Sequence, residues 1–137
     1  MKNLKTEILA LANYADFSKD GKLSIIGIFD RIFTKETPSS FIRGFLVFSI
    51  SGGENNSKHL ITVIIKDSSG KIILEKKVEI VMGSSGKGNF IAELVGLPLP
   101  VFGEYKVILK TLEKEIGNIN FFVTLPDQVV NNTPPVN

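Results

Sequence analysis

Apolar residues dominate the segment from Lys22 to Phe33, which reads KLSIIGIFDRIF. After its first lysine, the segment contains only two charged residues, Asp30 and Arg31. Isoleucine and phenylalanine favour β-strands, and a run this apolar is too hydrophobic to lie on a surface. The pattern therefore predicts a central strand with most of both faces covered, around which the rest of the chain is arranged.

The preceding segment, from Leu4 to Tyr14, fits two periodicities. Its apolar residues recur every three or four positions, as in an amphipathic helix, and also alternate, as in a strand. The period alone leaves both interpretations open. The Asp20-Gly21 pair that follows is typical of a tight hairpin turn, because both residue types tolerate positive φ. This signal favours a strand over Glu7–Tyr14 that pairs with Lys22–Phe33.

Six further segments have strand patterns, and turns rich in Gly, Asn and Ser separate most of them. Asp67–Gly70 is the clearest hairpin turn, with Asp opening it and Gly in its left-handed position. One side of Lys71–Val81 is mainly apolar and the other is charged, which predicts a strand near a sheet edge. The six segments are Phe41–Ser51, His59–Lys66, Lys71–Val81, Asn89–Val95, Glu104–Leu112 and Ile116–Leu125.

Prolines mark two segments that the pattern places outside the strands. Pro98 and Pro100 remove backbone donors from Gly96–Gly103, which we therefore expect to be an apolar crossover. Pro126 ends the last strand, and the polar residues 126–137 have no periodicity, so we expect a disordered tail. The remaining residues, 1–125, are expected to form a single domain.

Strands at this short and regular spacing, connected mainly by hairpins, are typical of a β-sandwich. No long helical pattern competes with them once Leu4–Tyr14 is taken as a strand. The sequence therefore predicts an all-β protein, an immunoglobulin-like antiparallel β-sandwich of about seven to eight strands.

Composition and charge indicate the cellular compartment of this domain and exclude some classes of partner. A chain of 137 residues is long enough to bury a core without disulfides, and it contains no cysteine. The formal net charge of +2 is small and the lysines are spread evenly, so we expect no nucleic-acid partner. No apolar run approaches the ~20 residues of a membrane span, and Glu7 interrupts the only signal-like stretch. We expect a cytoplasmic protein with no membrane partner.

No combination of residues that would carry catalysis is present. Gly83–Gly88 (GSSGKG) is too short for a phosphate-binding loop, and a strand follows it instead of a helix. His59 is the only histidine, and no other residues with metal-ligand spacing accompany it. No G-x-S-x-G nucleophile motif occurs. We therefore expect no catalytic residue, no cofactor and no metal, and a protein that is not an enzyme.

Asp30 and Arg31 are the one polar pair that stands out. On a strand, neighbouring side chains point to opposite faces, so the two do not pair with each other. Each needs its own partner or water where the strand is buried. The first interpretation is structural, with Asp30 accepting local hydrogen bonds and Arg31 reaching a carboxylate or carbonyl. The alternative makes them the polar floor of a shallow ligand cleft. The structural interpretation is favoured.

The chain resembles an uncharacterised bacterial family of domains of unknown function. The resemblance rests on KLSIIGIFDRIF (Lys22–Phe33), on the preceding LALANYA (Leu9–Ala15) and on GEYKVIL (Gly103–Leu109), and it covers about Ile8 to Val123. It implies a small, independent all-β sandwich and supports the strand over Leu4–Tyr14. It brings no catalytic residue, cofactor or substrate.

Two functional hypotheses follow. The first is a non-enzymatic binding or assembly module that meets another protein, or another copy of itself, through a sheet edge, with Lys71–Val81 as a candidate strand. The alternative is a small-molecule or glycan-binding sandwich that uses loops at one end, namely Thr34–Ser40, Gly52–Ser57 and Gly83–Gly88. These loops contain no aromatic platform for sugar stacking, which makes the alternative weaker.

Overall fold

The computed structural model describes residues 3–126. Nine β-strands account for most of this part of the chain, and no helix in it is long and apolar enough to cross a membrane. The strands are β1 (Lys5–Phe17), β2 (Leu23–Phe29), β3 (Arg31–Phe33), β4 (Ser39–Ser51), β5 (Lys58–Lys66), β6 (Ile72–Val81), β7 (Lys87–Leu99), β8 (Gly103–Thr111) and β9 (Lys114–Thr124).

The strands form two sheets that pack face to face. One sheet has the order β2-β1-β4-β7, and the other has the order β3-β9-β8-β5-β6. All pairs are antiparallel except β3 with β9, which run parallel. The predicted all-β, immunoglobulin-like sandwich is confirmed. It has nine strands because residues 22–33 supply two strands in place of one.

The main core lies between the sheets. Its largest fully buried side chains include Phe48 and Leu46 from one sheet and Tyr105 and Phe121 from the other. The Tyr105 hydroxyl donates a hydrogen bond of 2.6 Å to the Val101 carbonyl, just before β8. A buried tyrosine that bonds back to the backbone in this way is the tyrosine corner found in immunoglobulin-like sandwiches.

The first hairpin forms as the turn signal predicts. β1 is a strand, and its residues from Leu11 to Phe17 pair antiparallel with β2 from Phe29 back to Leu23. The helical alternative for this segment is wrong. Long-range pairing decides the matter, because β1 also pairs with β4 on its other side.

The prediction that Lys22–Phe33 is a central strand with both faces covered is wrong. β2 lies at the edge of its sheet, and Ile26 and Ile28 are 60% and 68% exposed. The strand also ends at Asp30, where the chain crosses from one sheet to the other and begins β3. An apolar run thus reports one covered face here, and its other face is left open to solvent.

The prediction of an apolar crossover at Gly96–Gly103 is also wrong in part. β7 continues to Leu99, and Pro98 pairs in register with Ser40 of β4. Because β7 is a sheet edge, it can include a proline without breaking a ladder on both sides. The crossover is therefore confined to the few residues between β7 and β8.

Two other predictions have different outcomes. The Asp67–Gly70 hairpin is confirmed, and its second strand, β6, lies at a sheet edge as expected. Pro126 is the last described residue, so the rest of the expected tail, residues 127–137, lies outside the described part of the chain. The domain boundary at residue 125 stays a prediction.

A second, smaller apolar cluster lies on the outer face of the four-stranded sheet. Phe45 and Val47 alternate along β4 with core residues, so they point away from the main core. The outer end of the first hairpin packs on them through the side chains of Ala15, Leu23 and Ile25. The first hairpin therefore contributes to the main core near Leu11 and Phe29 and to this outer cluster nearer its turn.

Candidate functional site

A cleft of about 590 Å³ opens where the first hairpin separates from β4. β1 pairs with β4 only as far as Ala12, opposite Phe45, and beyond this point it pairs with β2 alone. The start of β4 therefore has β7 on one side and the cleft on the other. The cleft is lined by Asn13, Phe29, Arg31, Ile32, Phe33, Thr34, Ser39, Ser40, Phe41, Ile42 and Leu99.

Aromatic rings form much of the cleft wall. The rings of Phe29 and Phe41 lie 5.7 Å apart at an angle of 59°. Phe33 is 43% exposed, and Ile42 is 84% exposed, so the cleft has an open apolar rim. A concave, mainly apolar surface of this size with a few polar groups has the properties of a small-ligand site.

The polar groups of the cleft are a guanidinium, an amide and three hydroxyls, two of which pair with each other. Arg31 lies over the ring of Phe122, with its Cζ atom 5.2 Å from the ring centroid. No salt bridge links Arg31 to a carboxylate within residues 3–126. Thr34 Oγ1 donates a hydrogen bond of 3.0 Å to Ser39 Oγ. The arrangement offers a cation and hydroxyls beside apolar walls.

The structure separates the two residues that the sequence pairs. Arg31 lines the cleft, whereas Asp30 does not. Asp30 is exposed, and its backbone carbonyl accepts a hydrogen bond of 2.8 Å from the Phe122 amide, at the start of the pairing between β3 and β9. The roles suggested for the pair, structural or in a ligand cleft, stay predictions.

The phenylalanines of the cleft are missing from the sequence-based set of site residues. Each lies in a segment with the apolar pattern of a strand, so Phe29, Phe33 and Phe41 are indistinguishable in sequence from core residues. The structure places all three in the lining of the cleft that opens where β1 separates from β4. A polar loop containing Pro38, between two of these rings, was the one available signal.

A second surface is the free edge of β2. This strand reads LSIIGIF and contains no charged residue. Ile26 lies opposite Tyr14 of β1, which is 43% exposed, and Ile28 is exposed two residues further along the strand. Within residues 3–126, no strand pairs with β2 on the side away from β1. Unpaired backbone groups and apolar side chains are therefore accessible together.

The loops expected to cluster at one end lie at two ends. Gly52–Ser57 contacts the turn after β6, because the Gly53 amide donates to the Gly86 carbonyl at 3.2 Å. The Thr34 amide instead donates to the Thr124 carbonyl at the end of β9, which lies at the opposite end of the sandwich. Two of the three loops therefore come together, and Thr34–Ser40 belongs to the cleft.

The candidates for metal or acid–base chemistry remain isolated. His59 is partly buried, and its Nε2 atom lies 2.9 Å from the Ser57 hydroxyl. No carboxylate completes this pair among the hydrogen bonds of the described residues. Residues 3–126 contain no group of three or more His, Cys, Asp or Glu that could hold a metal ion.

The topology and the tyrosine corner define the class of the protein as an immunoglobulin-like β-sandwich. In the comparison with known families, residues 7–124 match DUF6941, a family of unknown function. The chain belongs to this family, and the predicted relationship to a family of unknown function is confirmed. No curated protein matches the sequence.

Several solved structures are similar in fold. The alkylpurine DNA glycosylase AlkC of Pseudomonas fluorescens, bound to DNA with an abasic site analog, matches with a TM-score of 0.54 and 14% identity over 88% of this chain. The β-glucosidase of Listeria innocua, in complex with isofagomine, matches with a TM-score of 0.50 and 12% identity over 90% of this chain. An immunoglobulin-like protein of Pseudomonas aeruginosa matches with a TM-score of 0.44 and 12% identity, covering 88% of this chain and 96% of its own length.

The two enzymes are much longer than the matched region. This chain spans 30% of the glycosylase and 16% of the β-glucosidase. At such identities, the similarity extends to the sandwich fold alone.

Proposed function

We propose that the protein is a non-enzymatic binding or assembly module that acts through protein–protein contacts at the free edge of β2. One observation carries the proposal. β2 is a seven-residue edge strand without a charged side chain, and its two outward isoleucines are 60% and 68% exposed. Long, uncharged, apolar edges are sites where another chain adds a strand.

The other three edges support the assignment by contrast. β3 has only three residues, and β7 contains Pro98 and an ion pair between Glu93 and Arg43. Four of the five residues from 75 to 79 in β6 are charged, namely Glu75, Lys76, Lys77 and Glu79. Shortness, proline and charge are the features that keep sheet edges from pairing with other chains, and β2 has none of them.

The proposal is tested by placing charges on the β2 edge. Ile26→Lys combined with Ile28→Lys adds two ammonium groups where an added strand would pack, and both side chains are mostly exposed already. Val81→Lys is a matched control, because Val81 is 52% exposed on the charged edge strand β6. The wild-type protein and both variants are each immobilised, incubated with a cell lysate and cross-linked. The captured proteins are then quantified by mass spectrometry.

If partners bind through β2, the double variant should recover at least about tenfold less of them than the wild type does. The control variant should recover as much as the wild type, and further copies of this chain count as partners. Equal recovery with both variants, while all three proteins melt at the same temperature, would contradict the proposal.

The cleft favours a second candidate function, the binding of a small molecule. Its three phenylalanines supply the aromatic surface that the loops lack in the sequence, and Arg31 supplies a cation for a carboxylate. A panel of small aromatic and aliphatic carboxylates is tested for raising the melting temperature of the protein. A true ligand stabilises the folded state, and Arg31→Gln is expected to remove most of the shift. Absence of a shift across the panel counts against this function.

A further inference from the structure

We propose that the partner at β2 is a second copy of this chain, joined by antiparallel pairing of the two β2 strands about a two-fold axis. The inference rests on the proposed function of the β2 edge and names its occupant. The two four-stranded sheets would then form one continuous sheet with β2 strands at its centre.

A strand that pairs with its own copy must not bring like charges together. About a two-fold axis, each residue faces a residue of the same strand in the other copy. A charged residue near the centre therefore faces its own counterpart or a close neighbour of that counterpart. In β6 the central residues are Lys76 and Lys77, and their ammonium groups would repel across the axis. β2 meets the condition, because it contains no charge from Leu23 to Phe29.

The positions of the exposed isoleucines define the register. Ile26 and Ile28 lie one on each side of Gly27 and pair with Tyr14 and Ala12, which are alternate residues of β1, so both isoleucines are placed on the same face of the hairpin. An axis at Gly27 places Ile26 of one copy opposite Ile28 of the other, so four isoleucines meet on one face. No other strand of the described residues has two side chains this exposed and this apolar at alternate positions on a free edge.

The contact is small, and this limits its strength. One strand pair and a few side chains on each copy bury less than the roughly 1,200–2,000 Å² of total surface found in stable interfaces. We therefore expect a reversible dimer with a dissociation constant in the micromolar range, on the order of 10–100 µM.

The first experiment measures self-association of the full chain by sedimentation over about 1–500 µM, a range that brackets the expected constant. Wild-type protein and Val81→Lys are expected to dimerise equally, and Ile28→Lys at least about tenfold more weakly, since it brings two ammonium groups together. A wild-type protein that stays monomeric at the highest concentration overturns the inference. So does a dimer that Ile28→Lys leaves unchanged.

The second experiment tests the register by disulfide trapping, for which the absence of native cysteine gives a clean background. Ile26→Cys and Ile28→Cys proteins are prepared separately, mixed and oxidised. The axis at Gly27 predicts that the mixed disulfide dominates over both self-disulfides, because opposed Cα atoms in antiparallel strands lie within disulfide reach. Statistical amounts of all three products overturn this pairing.

The two proposals fail in different ways. If the wild-type protein is monomeric but the double lysine variant still loses its captured partners in the lysate, the partner is another protein and only the inference fails. If the protein is monomeric and capture is unaffected, the proposed function of the β2 edge fails as well.

Discussion

The hairpins β1–β2 and β5–β6 occupy similar positions in the two sheets but differ in the character of their edge strands. Each contributes one inner strand to a sheet and places its second strand at the edge. Each closes through a short polar turn that contains a left-handed glycine, Gly21 or Gly70. They differ in what the edge strand offers to a neighbouring molecule, which is charge in β6 and exposed isoleucine in β2.

The β5–β6 hairpin is closed to further pairing. Lys76 lies opposite Val63, on the core-facing side of the edge strand, yet it remains exposed. A charge that points inward at an edge discourages a further strand, because that strand would bury the charge. Lys77 and Glu79 place charges on the other face. Charges on both faces of β6 thus disfavour a further strand at its free edge.

The β1–β2 hairpin has no such feature and departs from regular geometry instead. Gly27 has a φ of +69° and lies opposite Asn13, where the hairpin passes from the main core to the outer cluster. This arrangement keeps Leu23 and Ile25 partly buried while Ile26 and Ile28 are exposed. The contrast teaches that an apolar edge strand can pack partly against an apolar cluster and still leave large apolar side chains exposed.

The largest effect that separates the two hairpins is expected from replacing their left-handed glycines by alanine. Gly27→Ala and Gly70→Ala both place a side chain at positive φ, which costs about 1–2 kcal/mol. At Gly70 the new Cβ atom meets nothing within 4 Å, but at Gly27 it comes within 2.6 Å of Asn13 Nδ2. We expect Gly27→Ala to lower the free energy of unfolding by about 1–3 kcal/mol more than Gly70→Ala, as measured by urea denaturation.

The steric part of this effect can be isolated in a double variant. Asn13→Ala removes the Nδ2 and Cγ atoms that the new Cβ atom meets but leaves Asn13 Cβ at 3.1 Å, so in that background Gly27→Ala should lose most of its excess cost over Gly70→Ala. Equal costs of the two glycine substitutions in the wild-type background would show that the contact between residues 13 and 27 does not constrain the hairpin.

Much of the fold was predictable from the sequence, because turn chemistry is local. Asp20-Gly21 and Asp67–Gly70 mark the two hairpins correctly, since these residues favour tight turns whatever surrounds them. The β8–β9 turn was harder to place. Its two positive-φ residues are Leu112 and Glu113, and neither residue type indicates a turn.

The candidate site was much less predictable, because it depends on which face of a strand is covered. The same apolar pattern describes Phe48, which is fully buried, and Ile28, which is 68% exposed. Arg31 was noticed because it is charged, whereas Phe29 and Phe41 resembled core residues. Edge position follows from pairing between distant segments. Charged residues indicated it for β6, but the uncharged pattern of β2 contains no such signal.

A smaller effect is expected from the turn of the closed hairpin. The buried Asp67 carboxylate accepts hydrogen bonds through Oδ1 from the Ser69 hydroxyl at 2.7 Å, the Ser69 amide at 2.9 Å and the Lys71 amide at 3.0 Å. The hydrogen bond from the Ser69 side chain, followed by those from the backbone, lowers the pKa of Asp67 below its ordinary value. Asp67→Ala should therefore lower the urea midpoint at pH 7, but by less than Gly27→Ala does.

The lowered pKa also fixes the direction of the pH dependence. The folded state favours the ionised form of Asp67 more than the unfolded state does. The resulting contribution to the free energy of unfolding is present above the unfolded pKa of about 4 and is lost as the pH falls through the folded pKa. Asp67→Asn keeps an acceptor at Oδ1 but cannot titrate. The difference in midpoint between the wild type and Asp67→Asn should shrink as the pH is lowered from 5 to about 2. A constant difference would contradict the assignment.

The smallest effect on stability, and the most direct test of the contrast between the two edges, is expected from Lys76→Ile. Lys76 is exposed, so its replacement should change the free energy of unfolding by no more than about 0.5 kcal/mol. The variant removes the inward charge from the centre of β6, and we expect light scattering to detect new association that Ile28→Lys does not suppress. Lys76→Glu, which keeps a charge at the same position, should behave like the wild type. If Lys76→Ile associates no more than Lys76→Glu, the inward charge is not what closes this edge. The difference between β2 and β6 must then rest on the outward-facing Glu75, Lys77 and Glu79.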